Sequence, residues 1–262
     1  MSVTTDATGN VFVLGNSDSP NFPVLNPGAG AYFQGYAGGA AQSGDAFIAK
    51  FSNVGVLQWS TYYGGTQDER AYSIATDGTN VFATGYTNSA NFPTQAAFQT
   101  AFAGGGGDAF ILKFNNNGNR QWATYFGGSG TDKAYATISD AGGNVFVSGP
   151  TDSPNFPVLN PGGGAYFQGT NGGGLQDAFV LKLSPAGARL WATYYGGSGD
   201  EGFSCFDDMA RDGCGNIYMS FNTTGNVPVM ACCDGGYYDA VSYTHLRAHE
   251  TKANLVCRLL LE

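Results

Sequence analysis

Histidine is almost missing from this chain. Its 262 residues hold two, His245 and His249, both near the C-terminal end, so residues 1–240 have none. Within that span Ser-His-Asp and Cys-His catalysis and histidine-based zinc sites are excluded. Charge is scarce as well: Asp, Glu, Lys and Arg make up 12% of the chain, about half the usual share. Strong helix formers are sparse, so helices are not expected to dominate. Glycine (41 residues) and aromatics (14%) are abundant instead. A chain poor in charge and rich in Tyr, Phe and Trp cannot stay solvated, which calls for strands buried on both faces. The length suffices for a sizeable core in one large or two ordinary domains.

Basic residues are the scarcest charges, and the formal net charge is −9. That balance excludes a nucleic-acid partner, whose phosphates demand a basic face. No Lys/Arg cluster or long apolar run supports a membrane anchor or span. The opening MSVTTDATGN has neither a basic nor an apolar leader region, so no signal peptide is visible in it. There is no P-loop pattern, and the runs Gly104–Gly107 and Gly162–Gly164 lack the strand–helix setting of a phosphate cradle. They read as flexible insertions.

What the chain does contain is a repeat. DAFIAKFSNVGVLQWSTYYGG from Asp45 recurs as DAFILKFNNNGNRQWATYFGG from Asp108 and DAFVLKLSPAGARLWATYYGG from Asp177. Another copy starts at Asp239 and stops after Asp-Ala. Behind each Gly-Gly lies a second block, AYSIATDGTNVFATGYTNSANFP and then AYATISDAGGNVFVSGPTDSPNFP. The chain opens inside such a block. Each unit reads as four short strands, DAFIAKF, LQWSTYY, AYSIATD and VFATGYT, divided by Gly- and Asn-rich turns that supply positive φ. Alternation in LQWSTYY sets Leu57, Trp59, Thr61 and Tyr63 on one face and Tyr62 on the other, so both faces carry bulk. Four-strand units repeating every ~60–70 residues with both faces covered describe propeller blades. The expected fold is therefore all-β: a β-propeller of four-stranded antiparallel blades starting near residues 45, 108 and 177.

The DAF strand, the Trp-containing strand closed by Gly-Gly, the loop carboxylate, GNVFV and NFP together resemble the bacterial β-propeller repeat called SBBP. The resemblance covers nearly all of residues 3–240. It implies a propeller within large exported or surface proteins and brings no catalytic residue set with it. About 3.5 blades are present, whereas propellers close with ~4–8. Residues 1–240 are thus expected to be an open arc, a fragment of a longer protein.

Residues 241–262 break the pattern. VSYTHLRAHET is similar to one reading frame of a transposase-type sequencing-library adapter, and LVCRLLLE resembles the translated flow-cell adapter that follows it. The other reading is a short amphipathic helix. The adapter reading makes 241–262 a non-native tail, to be set aside in fold reasoning. Without its three basic and two acidic residues, 8 basic face 18 acidic ones, a balance of −10.

The loop carboxylates recur behind each Gly-Gly: Asp68 with Glu69, Asp132, and Asp200 with Glu201. One reading is a ring of calcium ligands, with Asp68, Asp132 and Asp200 as candidates. The other, favoured because no DxDxDG run accompanies them, is a side chain accepting backbone N–H groups in a tight loop. The DAF aspartates, Asp45, Asp108, Asp177 and Asp239, read as scaffold because they repeat in every unit rather than marking a single site. No cofactor other than calcium is suggested. The last unit departs from the pattern at DEGFSCFDDMARDGCGN, where Asp207, Asp208 and Asp212 either line a site, as the best local candidate for paired carboxylates, or decorate an extended loop, the favoured reading. Cys205 and Cys214 flank that hairpin and are disulfide candidates; Cys232 and Cys233 lie further on. Tyr32, Phe33, Tyr166 and Phe167 of the AYFQG segments read as packing over a blade edge, with sugar stacking as the alternative.

These features point to a non-catalytic module for binding, adhesion or display, secreted or on the bacterial cell surface, with glycans or surface proteins as partners. The alternatives are a rigid spacer in a multidomain surface protein and a propeller hydrolase or lyase acting on polysaccharide. Sequencing of the intact gene is expected to show blade sequence continuing in place of VSYTHLRAHET. Finding that segment in genomic DNA would contradict the adapter reading.

Overall fold

The computed structural model describes residues 1–28, 30–38, 44–201, 208–213 and 215–228, and the backbone of 255–259. Among them there are strands, turns and no helix. The first sheet joins β1 (Ser2–Thr5), β2 (Val11–Ser17), β3 (Asp45–Phe51) and β4 (Leu57–Tyr63) in that order. The second joins β5 (Glu69–Thr76), β6 (Asn80–Thr87), β7 (Asp108–Asn115) and β8 (Arg120–Phe126). The third joins β9 (Ala136–Ser139), β10 (Val145–Thr151), β11 (Asp177–Leu183) and β12 (Arg189–Tyr195). The last holds β13 (Asp208–Arg211), β14 (Ile217–Phe221) and β15 (Leu255–Leu259). Every pairing is antiparallel between neighbours. Successive sheets meet in chain order, β1 against β5, β5 against β9 and β9 against β13, in a propeller-like arc that is not closed.

The strands lie where alternation and turns placed them, but the blades do not start near 45, 108 and 177. Each of the first three sheets takes its first two strands from the back half of one repeat unit and its last two from the front half of the next. The reason is the connection. The loop after NFP keeps the VFATGYT-type strand beside the following DAF strand, whereas the short Gly-Gly loop carries the chain across to the next sheet.

Both faces of the inner sheets are buried, as the composition demands. One face of the first sheet (Phe12, Leu14, Ala46, Ile48, Trp59, Tyr63) packs on Val81, Ala83, Phe110, Leu112 and Phe114 of the second. The opposite face of the second (Phe82, Ala109, Ile111, Trp122, Phe126) packs on Val145, Val147, Phe179, Leu181 and Leu183 of the third. A polar latch closes each of these junctions. Lys50 Nζ and Trp59 Nε1 both donate to the Asn116 carbonyl, each at 3.1 Å. Lys113 Nζ (2.9 Å) and Trp122 Nε1 (3.1 Å) do the same to Pro185. Gly118 and Gly187 sit under those indole rings with φ near +80°, and a Cβ there would come within 3.2 and 3.0 Å of the ring.

The insertions after NFP run back along the outermost strand of each of the first three sheets. Leu25 exchanges backbone bonds with Ser60, Gln95 with Ala123 and Leu159 with Ala192. The Tyr62, Tyr125 and Tyr194 amides then donate to Gln34, Gln99 and Gln168, each at 3.2 Å. An edge that would otherwise offer unpaired groups to another chain is covered in this way. In the tail, 255–259 form β15 against β14 rather than a helix; residues 241–254 lie outside the described ones.

Gly85 makes the tightest demand on sequence in the second sheet. A Cβ there would collide with the Arg70 carbonyl oxygen and the Phe110 ring. Gly85→Ala is expected to cost about 1–3 kcal/mol, read as a fall of several degrees in melting temperature. Gly35→Ala, with nothing within 4 Å of the added carbon, should leave the melting curve in place.

Candidate functional site: paired carboxyls at the blade junctions

The Gly-Gly loop that crosses between sheets ends in a carboxylate five residues after its first glycine: Glu69, Asp132 and Glu201. All three are fully buried. Gly65, Gly128 and Gly197 each donate an amide to this side chain, at 3.1, 2.8 and 3.1 Å. A threonine at the end of the neighbouring strand donates its hydroxyl: Thr87 to Glu69, Thr151 to Asp132, and Thr223 to Glu201 at 2.7 Å. Asp132 also accepts from Ser153 Oγ at 2.8 Å.

Against each loop carboxylate lies the DAF aspartate of the preceding sheet. Asp45, Asp108 and Asp177 are likewise fully buried. Their Oδ2 atoms accept backbone amides from the insertions, Ala37 at 2.6 Å, Ala103 at 2.8 Å and Gly172 at 2.6 Å. Gln99 and Gln168 donate to Asp108 and Asp177 at 2.9 and 3.1 Å, while their Oε1 atoms accept the Gly127 and Gly196 amides. The Oδ1 atom of all three aspartates is buried with no hydrogen-bond partner. These orphaned oxygens face the loop carboxylates. A Cβ on Gly127 would stand 2.6 Å from Asp132 Oδ2 and 3.0 Å from Asp108 Oδ1, and one on Gly196 would meet Glu201 and Asp177 at 2.5 and 2.7 Å.

Two carboxyls drawn into one dry junction are harder to ionise than in water. Burial pushes Asp45 up to about 6 and Glu69 up to about 7, against the hydrogen bonds that favour their charged forms. Burial raises Asp108 to about 7 and Asp132 to about 6, and lifts Asp177 and Glu201 in the same direction. Burial thus favours a protonated carboxyl at each junction at mildly acid pH, and such a proton is the donor that the orphaned Oδ1 lacks.

Asp68, Asp132 and Asp200, candidates for calcium beside the favoured structural role, are not equivalent positions. Asp132 corresponds to Glu69 and Glu201. Asp200 accepts the Leu175 amide at the loop surface, and Asp68 sits one residue before the buried acid. Calcium asks for 6–8 oxygens, and among the described residues no group of three or more His, Cys, Asp or Glu stands together. Cys205, Cys214, Cys232, Cys233 and Asp207 lie outside the described residues, as does Asp239. Asp208 is exposed on β13, and Asp212 holds its own turn by accepting from Asn216 at 2.9 and 2.6 Å. Tyr32 packs 4.8 Å from Tyr63 with the Arg120 guanidinium 4.5 Å from its ring, and Tyr166 lies 5.2 Å from Tyr195. These tyrosines are packing residues, whereas Phe33 stays exposed.

The junction protons set a pH dependence. A carboxyl whose folded pKa is raised stabilises fully below the unfolded value of about 4 and loses that contribution as pH rises through 6 to 7. Melting temperature is expected to fall between pH 5 and pH 8. Asp108→Asn places an amide N–H where Oδ1 faces Asp132 and needs no proton. It should melt about 2–4 °C above the parent at pH 8 and close to it at pH 5. A parent curve that is flat or rising over that range would contradict the junction protons.

The family model of the SBBP beta-propeller repeat matches residues 58–93, from the outer strand of the first sheet to the NFP turn of the second. An uncharacterized WD repeat-containing protein of Acanthamoeba polyphaga mimivirus is 22% identical over 280 residues, covering 89% of this chain and 20% of that protein. The chain thus spans about a fifth of the length of this curated relative. A crystal structure of a protein of unknown function from Dyadobacter fermentans aligns with a TM-score of 0.38 at 13% identity, over 86% of this chain and 61% of that one. The chain is similar to propeller-repeat proteins, and the family match falls on a single unit of the repeat.

Proposed function

We propose that the chain is a propeller interaction module, used for binding, adhesion or display on a secreted or surface-exposed bacterial protein. The observation that carries this reading is the fate of the repeated polar groups. The recurring aspartates, loop carboxylates, Gln and Thr, with the Lys and Trp of the first two units, are consumed in holding strands, loops and sheets together. What varies from unit to unit is the insertion along the outer edge and the turns at the strand ends, where a scaffold carries binding residues. The similarity to a WD-repeat protein supports protein partners, and no helix among the described residues is long and apolar enough to cross a membrane.

One surface suits a hydroxyl-rich ligand. A cleft of about 290 Å³ lies between the outer strand of the first sheet and a turn of the second, lined by Lys50, Gln58, Trp59, Asn116, Asn117 and Asn119. The exposed amides of Gln58 and Asn117 at its rim offer hydrogen bonds to sugar hydroxyls. The chain is expected to be retained on a glycan array without turning its ligands over. The double variant Gln58→Ala/Asn117→Ala, both exposed positions, should lose at least fivefold in retention with an unchanged melting curve. Turnover of a polysaccharide panel would overturn the reading in favour of a propeller hydrolase, and absence of glycan and protein binding alike would leave a spacer.

A further inference from the structure

In the first three sheets the strand hydrogen-bonded to the third-strand side of β2, β6 and β10 is always a DAF strand. In the fourth sheet that position beside β14 is filled by β15, from a segment outside the repeat. The register is the same. β11 sets Phe179, Val180, Leu181, Lys182 and Leu183 opposite Gly149, Ser148, Val147, Phe146 and Val145. β15 sets Leu255, Val256, Cys257, Arg258 and Leu259 opposite Phe221, Ser220, Met219, Tyr218 and Ile217. The pattern is also the same: three apolar residues, one basic, one apolar. The basic position always faces an aromatic one. Lys50 pairs with Phe12, Lys113 with Phe82 and Lys182 with Phe146, with the ammonium 5.4, 5.6 and 4.9 Å from the ring centre. Arg258 is opposite Tyr218.

We propose that the edge of β14 is a strand-acceptor site for an extended peptide carrying the repeat's own DAF pattern, and that residues 255–259 occupy it by mimicking that pattern in register. Main-chain bonds along β14 supply affinity. Tyr218, as the aromatic partner at the fourth position, selects a basic residue there, a cation–π preference of the kind seen in the other three sheets. The site is a binding surface of the fold, independent of whether the cleft of the first sheet takes glycans.

The test uses the full chain and the double variant Val256→Pro/Arg258→Pro, which removes two backbone donors from β15 and frees the edge. The probe is a fluorescently labelled peptide of sequence DAFVLKL, followed by anisotropy, with hydrogen exchange read at residues 217–221. The proline variant is expected to bind the peptide at least tenfold more tightly than the parent, in which 255–259 compete. Its 217–221 amides should exchange faster than the parent's and regain protection on adding peptide. A peptide with Glu in place of Lys should bind about tenfold more weakly. Equal binding by parent and variant, or no peptide-dependent protection at 217–221 while β5–β8 amides keep theirs, overturns the proposal.

Discussion

A carboxyl buried beside another carboxyl keeps its proton to higher pH, and this chain places such a pair wherever one sheet hands over to the next. The DAF aspartate opens its sheet's third strand, and the loop acid leads into the following sheet's first. Around them, Gly-Gly leaves room that a Cβ would fill, threonine and backbone N–H groups satisfy the loop acid, and the insertion glutamine ties the aspartate to the outer edge. The pair is thus the point where strand, crossing loop and insertion of two sheets meet. Their mutual dependence explains why so much of each repeat unit recurs together, since a change in any one group leaves a buried polar atom unpaired.

The apolar faces and the latch share this logic. Sheets buried on both sides have no wet face on which to place charge, so the few lysines and arginines are used where they reach a carbonyl or an aromatic ring. Lys50 and Lys113 are buried, and burial lowers the pKa of both. A molecule assembled in this way spends its repeated chemistry internally and presents to solvent the parts that differ among units. That division suits a scaffold for recognition. It also makes each of the first three sheets a receiver of one strand type, and β15 takes the corresponding place beside β14 in the same register.

The strands themselves were legible. DAFIAKF and LQWSTYY match β3 and β4 residue for residue, because turn glycines and two-residue alternation mark strand ends directly. Blade phase was not legible, since a repeat can be cut at any of its loops and only hydrogen bonding shows which strands share a sheet. The acid pairs escaped for a related reason. Asp108 and Asp132 are brought together by a crossing between sheets, and neither carries a local signal of the other. Counting from the Gly-Gly, five residues on, would have put Glu69 and Glu201 beside Asp132 and left Asp68 and Asp200 aside. The insertion tyrosines were read correctly as packing residues, because a repeated aromatic in a repeated frame has a repeated core to fill.

The junction proton is most directly observed by infrared spectroscopy of the carboxyl groups. Difference spectra taken between pH 5 and pH 8 are expected to show protonated C=O stretches persisting near pH 6 and disappearing between pH 6 and 8, with one band lost in Asp108→Asn. Complete ionisation of every carboxyl by pH 5, with the sheets intact, would contradict a proton held at each junction.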